Sequence, residues 1–120
     1  NHDGNLDEQM AYFDTEELWF PERDHGGVPW DDPEHFQRHN PINLVKNWKA
    51  PMLVIHGALD YRVPETQGFG AFTALQRRRV PSKLLHFPDE NHWVLKPSNS
   101  ILWHETVLAW LEQWTGEAGQ

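Results

Sequence analysis

The run Met52-Leu53-Val54-Ile55, lying between Pro51 and His56-Gly57, constrains this chain more than any other stretch. Continuous apolar residues, half of them β-branched, over so short a length suit a strand buried on both faces of a parallel sheet. The run ends in polar chemistry. His56-Gly57 is expected to break the strand, Asp60 and Arg62 follow directly, and Pro64 can open a helix. An acid and a base therefore fall just past the carboxyl end of an inner strand, which is where open α/β sheets place their ligands.

Around this strand the chain reads as alternating elements. Glu65 to Arg79 carries Phe69, Phe72 and Leu75 at helical spacing. Gly68 and Gly70 cost that helix about 1 kcal/mol each in propensity, which suggests close packing on a sheet. Arg77-Arg78-Arg79 would close it with cations that complement the helix dipole. Lys83 to Phe87 reads as a second strand. From Pro97 the chain reads as helical to about Trp114, with Ser98 or Ser100 as N-cap and a stripe of Trp103, Val107, Trp110, Leu111 and Trp114 laid on a sheet. Strand, helix, strand, helix is the pattern of a right-handed parallel crossover, so the expected class is α/β, a parallel sheet with flanking helices.

Upstream, residues 1–40 read as a loop and helix insertion. Asn1 to Asn5 reads as a loop, Leu6 to Phe20 as a helix stopped by Phe20-Pro21, and Pro21 to Asn40 as loop with one helical turn at Pro33 to Arg38. Trp19, Phe20 and Trp30 could line a substrate-side subsite or simply pack the insertion on the core. A short helix from Asn40-Pro41 to near Trp48 leads into the first strand.

His56-Gly57-Ala58-Leu59-Asp60-Tyr61-Arg62-Val63-Pro64 resembles the acid loop of the prolyl oligopeptidase family of serine peptidases, whose catalytic domain is an α/β-hydrolase. Asp89-Glu90-Asn91-His92-Trp93 resembles the same family's histidine loop. Asn91 to Leu95, followed by Pro97, Asn99, Ser100 and Trp103, is most similar to the dipeptidyl-peptidase 5 branch. The resemblance runs from Asn40 to Trp114. It implies the C-terminal part of an α/β-hydrolase domain, with residues 41–116 as its last strands and helices and no metal or cofactor. It also implies Asp60 as catalytic acid, His92 as base, Arg62 meeting a substrate main-chain carbonyl, and Val63 lining the pocket for the residue whose carbonyl is attacked. The activity implied is that of a serine-type exopeptidase acting on peptides and releasing N-terminal dipeptides. Acylaminoacyl peptidase and prolyl oligopeptidase-like specificities are the alternatives within the family. Members of this branch imply a periplasmic or secreted location, the cytoplasm remaining open.

The residues argue for the same chemistry by themselves. A serine hydrolase needs a base for the hydroxyl proton and a buried acid that holds that base's tautomer. In α/β-hydrolases the acid precedes the histidine in the chain. Asp60 and His92 keep that order, each just after an expected strand. The nucleophile is another matter: the serines are Ser82, Ser98 and Ser100, none sits in Gly-x-Ser-x-Gly, and there is no Cys. The expectation is a C-terminal piece of a longer enzyme, separated by proteolysis or autolysis and inactive alone. Its partner would be an upstream polypeptide carrying the serine, the oxyanion amides and a β-propeller; a homodimer is also compatible. Structural readings compete at each position. Asp60 could cap a helix, His92 could be a plain loop histidine, Arg62 could pair with an acid, and Val63 could be packing. For His56 the structural reading is preferred, its ring bonding nearby loop backbone. Trp93 either shields the histidine or belongs to the core.

Composition narrows the alternatives. A net charge of −8, with no basic cluster beyond the three arginines, argues against nucleic acid as a partner. No apolar run reaches the length of a membrane span, so a membrane is not expected as a partner either. Eight histidines raise a metal site, and His35 and His39 stand at i, i+4 beside Asp31, Asp32 and Glu34, but no His-Glu-x-x-His pattern supports zinc. Seven Trp allow a rival of another class, a non-catalytic interaction module with a Trp-rich contact surface.

Overall fold

The computed structural model describes residues 1–116. In chain order the elements are helices α1 (Glu8–Asp14), α2 (Trp19–His25) and α3 (Pro33–Arg38), a 3-10 helix (Pro41–Asn47), strand β1 (Met52–Gly57), helix α4 (Glu65–Arg77), strand β2 (Ser82–Phe87) and helix α5 (Pro97–Thr115). β1 and β2 pair in parallel, Met52 opposite Ser82 and Gly57 opposite Phe87. β1 also has a neighbour on its other edge. Ile55 donates its N–H to the Asn1 carbonyl (2.8 Å), Asp3 donates to the Ile55 carbonyl (3.1 Å), and His2 bridges Ile55 in parallel. The start of the chain, expected to be loop, thus lies along the sheet.

Side chains alternate across β1 and fill a layer on each face. Leu53 and Ile55, with Phe87, meet Trp103, Val107 and Trp110 of α5. Val54 packs instead with Leu75 of α4 and with Val80, covered by Trp48 and Phe72. The expected stripe on α5 is therefore used over three of its five positions, whereas Leu111 and Trp114 stay exposed. Leu75 is fully buried. Leu75→Ala is expected to cost about 2–5 kcal/mol, read as a lower denaturation midpoint, because the cavity opens between a helix and a sheet that cannot both collapse into it.

β1 does not break at His56-Gly57 but runs through both. His56 belongs to the buried α4 face of the sheet, and the α4 backbone comes close enough that a Cβ on Gly68 would lie 2.6 Å from His56 Nδ1. The close packing expected of the glycines is real at Gly68; Gly70 faces Leu6 of the N-terminal segment instead. α4 stops at Arg77, and Arg79 takes a left-handed φ of 59° that ends the helix two residues earlier than expected. α5 starts on Pro97 with Lys96 as N-cap and no side-chain cap, so neither Ser98 nor Ser100 has that role.

The helix expected over Leu6 to Phe20 is two helices. Thr15 Oγ accepts the Glu17 N–H (3.1 Å), a local side-chain turn that competes with the helical ladder, and the chain bends away between Asp14 and Trp19. Pro21 lies in the first turn of α2, where its missing N–H has no helical partner to lose. α1 is held down by two buried amides. Gln67 Oε1 accepts from Leu6 N and Asp7 N (2.9 Å each), and Asn40 Oδ1 accepts from Glu8 N (3.0 Å). No described helix is long and apolar enough to cross a membrane.

Candidate active site

Asp60 follows β1 and His92 follows β2, so the parallel register that sets Gly57 beside Phe87 also sets their two loops side by side. The backbone locks the loops together: Ala58 donates to the Phe87 carbonyl and Leu59 to the Glu90 carbonyl, both at 2.9 Å. Gly57 is necessary here. A Cβ on it would lie 2.5 Å from the Glu90 carbonyl oxygen and closer still to that of Asn91.

Asp60 is 2% exposed and fully partnered. Its Oδ1 accepts the N–H groups of Arg62 (3.0 Å) and Val63 (2.9 Å), while Oδ2 lies 2.8 Å from His92 Nδ1. An ionised carboxylate only accepts, so Nδ1 carries the ring proton and Nε2 presents a lone pair. Among the described residues no group bonds that Nε2, and the half-buried ring opens on clefts at both sides. One cleft, about 180 Å³, is walled by Leu59, Tyr61, Asn91 and Trp93. The other, about 360 Å³, is walled by Trp19, Phe20, Arg62 and Val63. Trp93 is exposed, so it is a cleft wall and not core. Trp30 does not reach either cleft; it packs edge-on against Tyr12.

His56 takes the structural role expected for it. Completely buried, it donates Nε2–H to the Val63 carbonyl at 2.6 Å and so braces the acid loop from below. Asp3, His56 and Asp60 form a cluster that could in principle hold a cation. The His56 nitrogen facing it is already committed to that carbonyl, which leaves two carboxylates as ligands. His35 Nδ1 bonds the His25 carbonyl (2.8 Å), and His39 caps the end of α3.

Three groups escape a reading of the sequence alone. Glu17 accepts from Arg62 through both Nε and Nη2, the second at 3.3 Å, and so fixes the guanidinium against the second cleft. A solvent-screened ion pair like this stabilises little, and its effect is on direction. Glu90 is the second. Its buried carboxylate accepts from Leu95 N and Lys96 N (3.0 Å each) and from Asn99 Nδ2 (2.8 Å), which ties the histidine loop to the start of α5. Burial pushes the Glu90 carboxyl up, but these three donors outweigh it and hold it below its usual range. A depressed carboxylate stabilises the fold above its unfolded pKa and loses that effect as pH falls through the folded value. The Leu95 and Lys96 amides are therefore expected to lose hydrogen-exchange protection by roughly tenfold on acidification below the carboxylate range. Glu90→Gln should remove that pH dependence. The third group is Asp3, whose buried carboxylate lies 3.9 Å from His92 Nδ1.

A parallel sheet that carries an acid and, later in the chain, a histidine from two strand ends into one hydrogen bond has the order and placement of an α/β-hydrolase sheet. The chain belongs to the prolyl oligopeptidase family, whose model matches residues 1–118. It is 47% identical over 114 residues to dipeptidyl-peptidase 5 of Schizosaccharomyces pombe, covering 95% of this chain and 17% of that protein. It is 46% identical over 117 residues to dipeptidyl-peptidase 5 of Porphyromonas gingivalis, covering 94% of this chain and again 17% of the relative. The chain thus spans about a sixth of the length of these relatives. Its fold matches Pyrococcus horikoshii acylaminoacyl peptidase with a TM-score of 0.86 at 19% identity, over 98% of this chain and 20% of that one.

Proposed function

We propose that Asp60 and His92 are the acid and base of a serine peptidase that releases dipeptides from peptide N-termini. The observation that carries the reading is the 2.8 Å contact of Asp60 Oδ2 with His92 Nδ1, with Nε2 left unbonded at a cleft. Nε2 takes the proton of an attacking hydroxyl, Asp60 steadies the imidazolium, and the proton then passes to the leaving amine. The hydroxyl and the oxyanion donors come from polypeptide outside these 120 residues, since Ser82 opens β2 at the end opposite the histidine loop, Ser98 and Ser100 lie within α5, and none sits in Gly-x-Ser-x-Gly. Arg62, with two of its N–H groups taken by Glu17, turns its remaining donors to a substrate carbonyl, and Val63 lines the pocket beside it. The names of the relatives at 46–47% identity support the choice of dipeptide release over acylaminoacyl specificity.

A fluorophosphonate probe on the complete enzyme tests this. The label is expected on a serine outside these residues, and labelling is expected to collapse in His92→Ala. A label on Ser82, Ser98 or Ser100 overturns the reading. Dipeptide anilides with a free N-terminus should be cleaved, and their N-acetylated forms should not; the reverse preference would assign the acylaminoacyl specificity.

A further inference from the structure

Asp3 sits where the stretch beside β1 ends, and it is unusual in three ways. Its backbone is left-handed, with φ of 53°, a conformation uncommon for a residue with a Cβ, though one that Asp and Asn adopt more readily than most. Its side chain is 5% exposed. Among the described residues its buried Oδ1 has no hydrogen-bond partner, while Oδ2 lies 3.0 Å from His2 Nε2 and 3.9 Å from His92 Nδ1. Buried carboxylates are normally partnered, so an orphaned oxygen on a left-handed residue asks for a reason. Holding Asp3 near Asp60 also sets two acids within 4.8 Å of one another, which is unfavourable unless positive charge forms between them.

We infer that Asp3 is a positioning residue for His92, a second carboxylate that favours the imidazolium formed when His92 takes a proton. The inference rests on His92 being the base. Two neighbouring parallel segments thus each deliver an acid to the same nitrogen, Asp60 by direct bond and Asp3 by proximity. The other groups facing Asp3 cannot do this. His2, on its own segment, already shares its Oδ2; His56 on β1 is committed to the Val63 carbonyl; Trp103 of α5 lies tilted against the His2 ring and carries no charge.

Asn keeps the size of Asp, accepts a left-handed backbone and removes the charge, so Asp3→Asn in the complete enzyme isolates the electrostatics. Asp3→Gly, for which that backbone carries no strain, guards against a folding defect. With the same dipeptide anilide, both variants are expected to move the acid limb of kcat/KM to lower pH and to lower kcat roughly tenfold. Combined with Asp60→Asn the effects should be non-additive, because both acids act through one ring. A residue that only shapes the turn would change the melting temperature and leave the limb in place. If His92→Ala is inactive and the limb does not move in either variant, this inference alone fails. If His92→Ala keeps full activity, the assignment of the base fails, and the role of Asp3 falls with it.

Discussion

His92→Ala in the complete peptidase is expected to lower kcat by about 10⁶-fold, and Asp60→Asn by about 10⁴-fold, with KM for a dipeptide anilide little changed. The first loss is that of the proton acceptor. The second is subtler and follows from how Asp60 is held. Its Oδ1 accepts from the Arg62 and Val63 N–H groups, so an asparagine would keep its carbonyl oxygen there and turn its amide to His92. The ring would then have to accept at Nδ1 and carry its proton on Nε2, the wrong tautomer for a base. The geometry survives and the proton transfer does not. Single-turnover kinetics would check this, and an Asp60→Asn enzyme within tenfold of the parent would contradict the assigned role.

Gly57→Val is expected to reduce kcat by at least about 100-fold and to destabilise the fold by about 1–3 kcal/mol, although residue 57 is buried and lines neither cleft beside His92. The nearest atoms to a new Cβ are main-chain carbonyls of Glu90 and Asn91, which cannot rotate aside as a side chain would. Only the histidine loop can yield, and its displacement lengthens the 2.8 Å contact between Asp60 and His92. Leu59 would lose its bond to the Glu90 carbonyl in the same movement. Activity should fall further than the melting temperature suggests. A variant with parental kcat would mean that the two loops are not rigidly coupled.

The meeting of Asp60 with His92 was legible from the chain because parallel strands impose a simple rule. Residues just past two neighbouring strand ends must share one edge of the sheet, so Asp60 and His92 could be placed together before any distance was known. The helical turn over Pro33 to Arg38, the strand starting at Met52 and the burial of both faces of β1 follow from equally local causes. What could not be read depends on contacts between distant segments. Glu17 meets Arg62 only because the Thr15 hydroxyl turns the chain between α1 and α2, where the apolar spacing alone continued the helix. Trp19 and Phe20 reach the second cleft for the same reason, while Trp30 is carried away to Tyr12. Gln67 and Asn40 are unremarkable polar residues until the backbone donors of Leu6, Asp7 and Glu8 fall against them. Asp3 and Glu90 gain their meaning from burial, which periodicity does not report for a single acid in a loop.

By itself, the order of residues determined the parallel α/β class and the pairing of one acid with one histidine, because strand length, apolar continuity and strand-end chemistry are local properties. Only the tertiary structure decided how that pair is held: by the bare backbone of Gly57, by His56 beneath the acid loop, by Glu90 behind the histidine loop and by Asp3 beside the ring. These are contacts of a few ångströms between segments far apart in the chain, and they exist only once the sheet has brought those segments together.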